Sequence, residues 1–417
     1  MLPERTRQWI DAAHEAGLKI LLIFNYGNDL YADRYDAGAY AKAVAHLAGE
    51  LKGKVHAIEV INEPNNFGFG KYYGGAWNGL PKDGQPAPYV VKYTNILNQA
   101  AVAIKAVNPE MKVIGMGAPA PANYRMLALG IVPEVDGIVD HPYSNHTVPE
   151  IVPFASSEGI LKRDGIAVAD EKGTFASFVR MYRDQSAKHS GPKELWFTEF
   201  GFPTQRSHTG KKGVFSGFTE DAQARYTLRR LAESLGLNVA VSVIFDMKDD
   251  GTDPHDAEHN FGLMTNGDQS RLKPVYMAVQ RFARFTIPYR VADTPPAVEV
   301  FASNSHIDQW PIIWDGSKLA SDGSIRTYAF EKTTATGASE PLLLVWSTER
   351  AGGDVQPRVA DIEITWPNPM AVKSVRAYDF ITDTWSDVKF EPKSGTRLWL
   401  SNVTVPDRPV ALIFSDK

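Results

Sequence analysis

EVINEPN, residues 59–65, and LWFTEFGFPT, residues 195–204, are two strand-forming runs that each close on a glutamate followed by a breaker. Pro64 stops the first just past Glu63, and Gly201 stops the second just past Glu199. An unpaired carboxylate inside an apolar core would cost several kcal/mol, so neither glutamate reads as core filling. Both are placed at a strand end, where the side chain meets the rim of a sheet. Working outward, each run lies between helical patterns. The same alternation recurs from residue 1 to about 285, with predicted strands at 18–26, 55–64, 112–119, 135–144, 194–203 and 239–247. Helical periodicity fills 4–16, 37–53, 87–107, 122–131, 172–189, 219–236 and 274–285. Continuous apolar runs joined by crossover helices predict a buried parallel sheet of about six strands.

Polar and aromatic residues gather where these strands end: Asn25, Asn62 with Glu63, His141 and Tyr143, Glu199, and Phe245 with Asp246. In parallel α/β folds that edge is where ligands sit. After residue 286 the texture changes to short alternating strands separated by turn residues, such as SIRTYAFEK, PLLLVWST and ADIEITWP. The chain therefore divides into an α/β unit over 1–285 and an antiparallel β-sandwich over 286–417.

Composition narrows the function classes. The chain of 417 residues is 43% hydrophobic and 22% charged, proportions of a folded globular protein. It has no cysteine, which removes disulfides, iron–sulfur clusters and thiol nucleophiles. Lys+Arg 44 against Asp+Glu 49, without long runs of either sign, argues against a nucleic-acid partner. No apolar run reaches the roughly 18–20 residues of a membrane helix, so no membrane partner is expected. The first residues, MLPERTRQWIDAAHEAG, read as a helix without a signal-peptide pattern. That leaves the compartment open, cytoplasmic as the chain stands and secreted if a leader precedes it. No phosphate-binding loop, G-x-S-x-G elbow or H-E-x-x-H is present, and GMGAPA (115–120) is denied a helix start by Pro119 and Pro121. No cofactor is called for.

Two carboxylates on one rim suit acid-catalysed glycosidic cleavage: one protonates the leaving oxygen, and the other attacks the anomeric carbon or activates water. The plain alternative makes both glutamates ion-pair partners of nearby Arg or Lys. The NEP and TEFG strand ends, with FDMKDDGTDPHDAEHNFGLM (245–264) and KPVYMAVQRF (273–282), resemble the (β/α)8 retaining glycoside hydrolases of clan A. Within that clan they are most similar to the family 39 group of β-xylosidases and exopolysaccharide endoglycosidases. The resemblance implies Glu63 as acid/base and Glu199 as nucleophile, with Asn62 beside the former. It places His141 and Tyr143 where the clan supplies groups that contact the sugar and the nucleophile. A carbohydrate substrate and retention of configuration follow as its expectations.

By the same resemblance, the first strand here corresponds to the clan's third. The barrel should therefore be incomplete, with strand 18–26 carrying an unpaired edge and losing cover of about 1.5–3 kcal/mol per apolar side chain. The expectation is a homo-oligomer that covers this open seam. A truncated sequence and a locally rebuilt barrel are the competing explanations. A binding or assembly protein that lost catalysis with those strands is the alternative function. In the long loop 67–88, Tyr72, Tyr73 and Trp77 either stack on sugar or pack the loop, and His208, Phe215 and Phe218 raise the same question after Glu199. Phe245 and Asp246 stand where many clan members carry a tryptophan under the sugar. The acids from Asp246 to Glu258 read as loop-bracing rather than metal-binding, since Lys248 interrupts any calcium-loop spacing.

Overall fold

The computed structural model describes residues 2–145, 147–152, 158–206, 215, 217–303, 309–311, 318–320, 323–333, 339–351 and 356–416. Six parallel strands, β1 (Leu21–Phe24), β2 (Ala57–Val60), β3 (Lys112–Met116), β4 (Gly137–Asp140), β5 (Glu194–Phe200) and β6 (Val241–Ile244), pair in sequence order. Helix α1 (Glu4–Glu15) leads into β1, and α2 (Ala37–Glu50) joins β1 to β2. The β2–β3 crossover carries α3 (Phe67–Tyr73) and α4 (Pro88–Val107), and α5 (Ala120–Leu129) joins β3 to β4. Beyond β4 come α6 (Glu158–Asp164) and α7 (Phe175–His189), then α8 (Glu220–Gly236) after β5 and α9 (Pro274–Thr286) after β6.

The helix starts follow sequence chemistry. Asp36, Thr174 and Thr219 cap α2, α7 and α8 by accepting from backbone N–H groups three residues on. Pro88 and Pro274 open α4 and α9, where their missing N–H costs nothing. The predicted loop 67–88 contains α3, which Gly68 and Gly70 had hidden from a propensity reading.

Alternation along the strands sorts residues to two faces. Ile58, Val60, Val113, Ile138, Leu195 and Phe197 pack outward against the helices. Ala57, Ile114, Val139 and Trp196 line the inner face with Leu21 and Val241. The sheet ends at β1 on one side and β6 on the other, so the barrel is incomplete, as expected. Its consequence is visible in exposure: β2 and β4 are buried throughout, whereas Ile23 and Val243, inner-facing on the two edge strands, are each 39% exposed.

The β-sandwich holds short strands β7 (Arg290–Val291), β8 (Ala297–Ser303), β9 (Gln309–Pro311) and β10 (Lys318–Ala320). The longer strands are β11 (Ile325–Thr333), β12 (Ser339–Ser347), β13 (Arg358–Thr365), β14 (Ser374–Asp379), β15 (Thr384–Asp387), β16 (Lys389–Pro392), β17 (Arg397–Val405) and β18 (Val410–Ser415). One sheet runs β15-β14-β18-β12-β11-β7, the other β16-β17-β13-β8, and β9 pairs with β10. Leu343, Val345, Ile362, Leu398 and Leu412 fill the space between the two larger sheets. Alternate residues of β12, Leu342, Leu344 and Trp346, face the other way and pack on Leu228, Ala232 and Phe282 of α8 and α9. A buried ion pair reinforces this junction: Arg229 meets Glu150 at 2.5 Å with neither side chain exposed, and Trp346 Nε1 donates to Glu150 at 2.7 Å. Burial alone would raise the Glu150 carboxyl, but the Arg229 guanidinium holds it below the usual range.

Candidate active site

The site is built where β2, β4 and β5 end. Past Val60 the chain turns through two left-handed residues, Ile61 at φ 60° and Glu63 at φ 42°. Such backbone is costly for side-chain-bearing residues and persists where neighbours enforce it. Here Asn25 Oδ1 accepts from Asn62 N at 2.7 Å, and the Tyr93 hydroxyl bridges Val60 O and Met116 N at 2.6 Å each. Pro64 then forbids return to a ladder.

His141, just past β4, organises the centre. Its Nδ1 lies 3.0 Å from Glu63 Oε1 and 3.5 Å from Glu199 Oε2, and its Nε2 lies 3.1 Å from Thr198 Oγ1. The Tyr143 hydroxyl donates to Glu199 Oε2 at 3.0 Å. An oxygen of Glu63, a ring nitrogen of His141 and an oxygen of Glu199 fall within 4.8 Å of one another. Burial works against a charge on His141, yet Glu63, Glu199 and Glu59 together outweigh it and lift its pKa to about 9. An imidazolium therefore sits between two carboxyls near neutral pH. Burial raises the Glu199 pKa, and Glu63 adds to that, while His141 and the Tyr143 hydrogen bond pull it back. The Tyr143 hydroxyl is pushed well above its ordinary range, first by burial and then by Glu199.

Glu59, unremarked in the sequence reading, lies one turn of the strand pleat below. It is fully buried on the inner face of β2, in register with Ile23 and Ile114. Neither carboxylate oxygen has a partner in hydrogen-bond geometry. Burial raises its pKa to about 7, opposed by His141 and the Thr198 hydroxyl beside it and assisted by Glu199 and Glu63. The signal for it was in plain view, a glutamate at an inner position of the otherwise apolar run HAIEV. Asp140 is a second such group, raised to about 7 by burial although Tyr182 donates to it.

A cavity of about 170 Å³ opens beside Glu63 and includes Asn65, Trp77, His141 and Tyr143 in its wall. A second, of about 340 Å³, is lined by Asn25, Tyr26, Arg34, Asn62 and Asn66. The expected residues thus fall into groups. Glu63, Glu199, His141 and Tyr143 form one hydrogen-bonded unit; Asn25 and Asn62 border it on the β1 side; Trp77 lines the first cavity. Phe245 and Asp246 follow β6, where Phe245 N donates to Phe200 O at 2.8 Å, one residue past Glu199. Phe245 packs on Phe261 with ring centroids 5.3 Å apart, and among the described residues neither hydrogen-bonds to the central unit through its side chain. Asp246 is raised to about 7 by burial and by Asp250 and Asp249. The Phe245–Asp246 peptide is cis.

Tyr72 and Tyr73 take the packing role, in edge contact with Tyr35 and Phe69. Phe215 packs on Tyr143 and Phe261, and Phe218 on Phe202 and Tyr226. His208 lies outside the described residues. The acidic loop braces itself: Asp249 pairs with Lys273 at 2.8 Å and accepts from Gly262 N at 2.7 Å. Glu258, from a short 3-10 turn, is close enough to feel the charges of Glu199 and Glu63. The spacing of Glu63, His141 and Glu199 is one a cation could bridge. A cation there would need a neutral His141, and the surrounding carboxylates favour the charged form.

Solved structures place this arrangement among known folds. A family 39 glycoside hydrolase from the gut symbiont Bacteroides cellulosilyticus WH2 superposes with a TM-score of 0.65 at 19% identity, covering 100% of this chain and 71% of its own. The fold is that of a clan A glycosidase with an incomplete barrel. The GH51 arabinofuranosidase from Xanthomonas axonopodis pv. citri gives a TM-score of 0.55 at 11% identity, with coverages of 98% and 78%. A monomeric β-xylosidase from Caulobacter crescentus CB15 gives 0.50 at 16%, with coverages of 98% and 83%. No protein-family model matches the chain, and no curated protein matches it. Among the described residues no helix is long and apolar enough to cross a membrane.

Proposed function

We propose that this protein is a retaining glycoside hydrolase acting on β-linked glycosides, with Glu63 as acid/base and Glu199 as nucleophile. One observation carries the proposal: oxygens of the two carboxyls lie within 4.8 Å of each other on one rim. Retaining glycosidases hold this pair about 5–5.5 Å apart, whereas inverting ones leave roughly 6.5–9.5 Å for a water. In the first step a Glu199 oxygen attacks the anomeric carbon as the glycosidic bond breaks and the Glu63 proton passes to the leaving oxygen. That produces a glycosyl ester on Glu199 and a carboxylate on Glu63. In the second, Glu63 takes a proton from water, the water oxygen displaces Glu199, and both residues return to their starting states.

Tyr143 and His141 both engage Glu199 Oε2, which orients the carboxylate and leaves Oε1 for the attack. His141 also faces the Glu63 oxygen that becomes anionic when the proton leaves. Asn62, beside Glu63, has a buried Oδ1 without a partner, a free acceptor for a sugar hydroxyl. The test is hydrolysis of a panel of β-glycosides with Glu199→Ala alongside. Turnover by the parent and none by a folded variant supports the assignment; turnover by both overturns it.

The exposed inner faces of β1 and β6 support a second proposal, that another copy of the chain covers the seam. Sedimentation at micromolar concentration should show an oligomer, and a stable monomer there contradicts it. Should the panel be silent while sugars still bind, the open seam favours the alternative, a carbohydrate-binding protein without turnover.

A further inference from the structure

The cavity that has Glu63 in its wall is largely apolar, and the reaction gives the acid's side to the leaving group. In a double displacement the glycone lies against the nucleophile, and the leaving group lies on the side of the acid that protonates it. The 170 Å³ cavity has Glu63 in its wall but not Glu199. Its surface is built by Trp77, Pro119, Pro121, Val152, Val168 and Phe178.

Several polar groups in that wall are engaged within the protein. Asp164 accepts from Asn78 at 2.8 Å and from Arg163 at 2.7 Å. Asp140 accepts from Tyr182, His141 is held by Glu63 and Thr198, and the Tyr143 hydroxyl is spent on Glu199. Among the described residues of that wall, Asn65 has a buried side-chain oxygen without a partner. A sugar in this cavity would bring several hydroxyls to a largely apolar wall, and a hydroxyl buried there without a partner is costly. A separate cavity, lined by Asn25, Arg34, Asn62 and Asn66, is more polar. Trp77 is well placed to hold a flat apolar ring, being 43% exposed and braced by the Arg163 guanidinium 5.1 Å from its ring.

We infer that the leaving group is an apolar, ring-bearing alcohol or phenol rather than a second sugar, so that the natural substrates are aryl or arylalkyl glycosides. The inference rests on Glu63 being the acid of a working glycosidase. Such a group gains from burial what a sugar loses in unpaired hydroxyls. Hydrolysis then releases a free sugar and an apolar alcohol, and the reaction that supplies the substrate is a glycosylation of such an alcohol.

The experiment compares benzyl glycosides with disaccharides that share the same glycone, across the glycone panel. Benzyl alcohol is no better a leaving group than a sugar hydroxyl, so faster cleavage reports recognition. The expected result is a kcat/KM for the benzyl glycoside at least about tenfold above that of the disaccharide, about 1.4 kcal/mol of preference. In Trp77→Ser that ratio should fall towards one; Trp77 is partly exposed, and Val168→Asn, a polar change elsewhere in the wall, serves as a second variant. Disaccharides cleaved as well as or better than benzyl glycosides would overturn the inference and leave the glycosidase standing. A ratio unchanged in both variants would overturn it too. Silence across the whole panel would sink both readings together.

Discussion

Glu59 offers the sharpest physical test of the site, because its carboxyl is buried beneath the two glutamates without a hydrogen-bond partner. Its pKa is raised from 4.5 to about 7, chiefly by burial. Between those two values the folded protein holds a proton that the unfolded chain has released. Stability attributable to this group is therefore highest below pH 4.5 and falls as pH rises through about 7, levelling off above that. At about 1.4 kcal/mol per pH unit, the full cost is about 3 kcal/mol, and roughly 2 kcal/mol of it accrues between pH 5 and pH 7. Glu59→Gln keeps the shape and abolishes the titration. Urea unfolding of parent and variant at pH 5 and pH 7 should show the difference in stability moving about 2 kcal/mol in the variant's favour as pH rises. The groups facing Glu59 are His141 from the end of β4, Thr198 and Glu199 from β5, Glu63 from its own strand, and Tyr40 and Tyr93 from the helices. Of these, His141 titrates next, with its contribution present below 6.5 and lost through about 9, so the chosen interval keeps the two largely apart. Stability curves that run parallel for the two proteins would show that Glu59 is ionised throughout, and the burial argument would be wrong.

Two further predictions address the junction and the acid. Arg229→Met should destabilise the protein by about 3–5 kcal/mol, because it strands the buried Glu150 carboxylate with only Trp346 and its neighbours; a loss under about 1 kcal/mol in urea unfolding would contradict that. Glu63→Ala should slow benzyl glycosides, which need a proton on the departing oxygen, far more than 2,4-dinitrophenyl glycosides, which do not. Equal losses on both substrates would remove Glu63 from the acid role.

The parallel sheet was legible because a buried strand between crossover helices leaves a continuous apolar run, which six segments show, whereas its missing closure was expected from the resemblance, in which the first strand here is the clan's third. Glu63 and Glu199 were legible for a related reason: a charged residue next to Pro64 or Gly201 at the end of such a run has few structural excuses. Glu59 was harder to see. It occupies an inner-facing position in the middle of β2, and only the three-dimensional closeness of His141 and Thr198 reveals why a carboxyl is tolerated there. The aromatic loop shows the opposite difficulty. Tyr72 and Tyr73 look like sugar platforms in sequence, but Tyr72 packs on Tyr35, more than 30 positions earlier, a pairing that leaves no local trace, while Tyr73 packs on Phe69 four residues before it. Trp77, a few residues on, lines a cavity instead. The resemblance sets Phe245 and Asp246 near the sugar, and in the structure Phe245 packs on Phe261, which in turn meets Tyr143, while Asp246 sits beside Asp249 and Asp250.

Double displacement at Glu199 requires that the released sugar keep its anomeric configuration. Proton NMR of the first product formed from a benzyl or nitrophenyl β-glycoside, followed before mutarotation, reads this directly. Appearance of the β-anomer first, with no product from a folded Glu199→Ala variant, is the predicted result. The α-anomer first, or unchanged turnover by the variant, would contradict the assignment of Glu63 and Glu199.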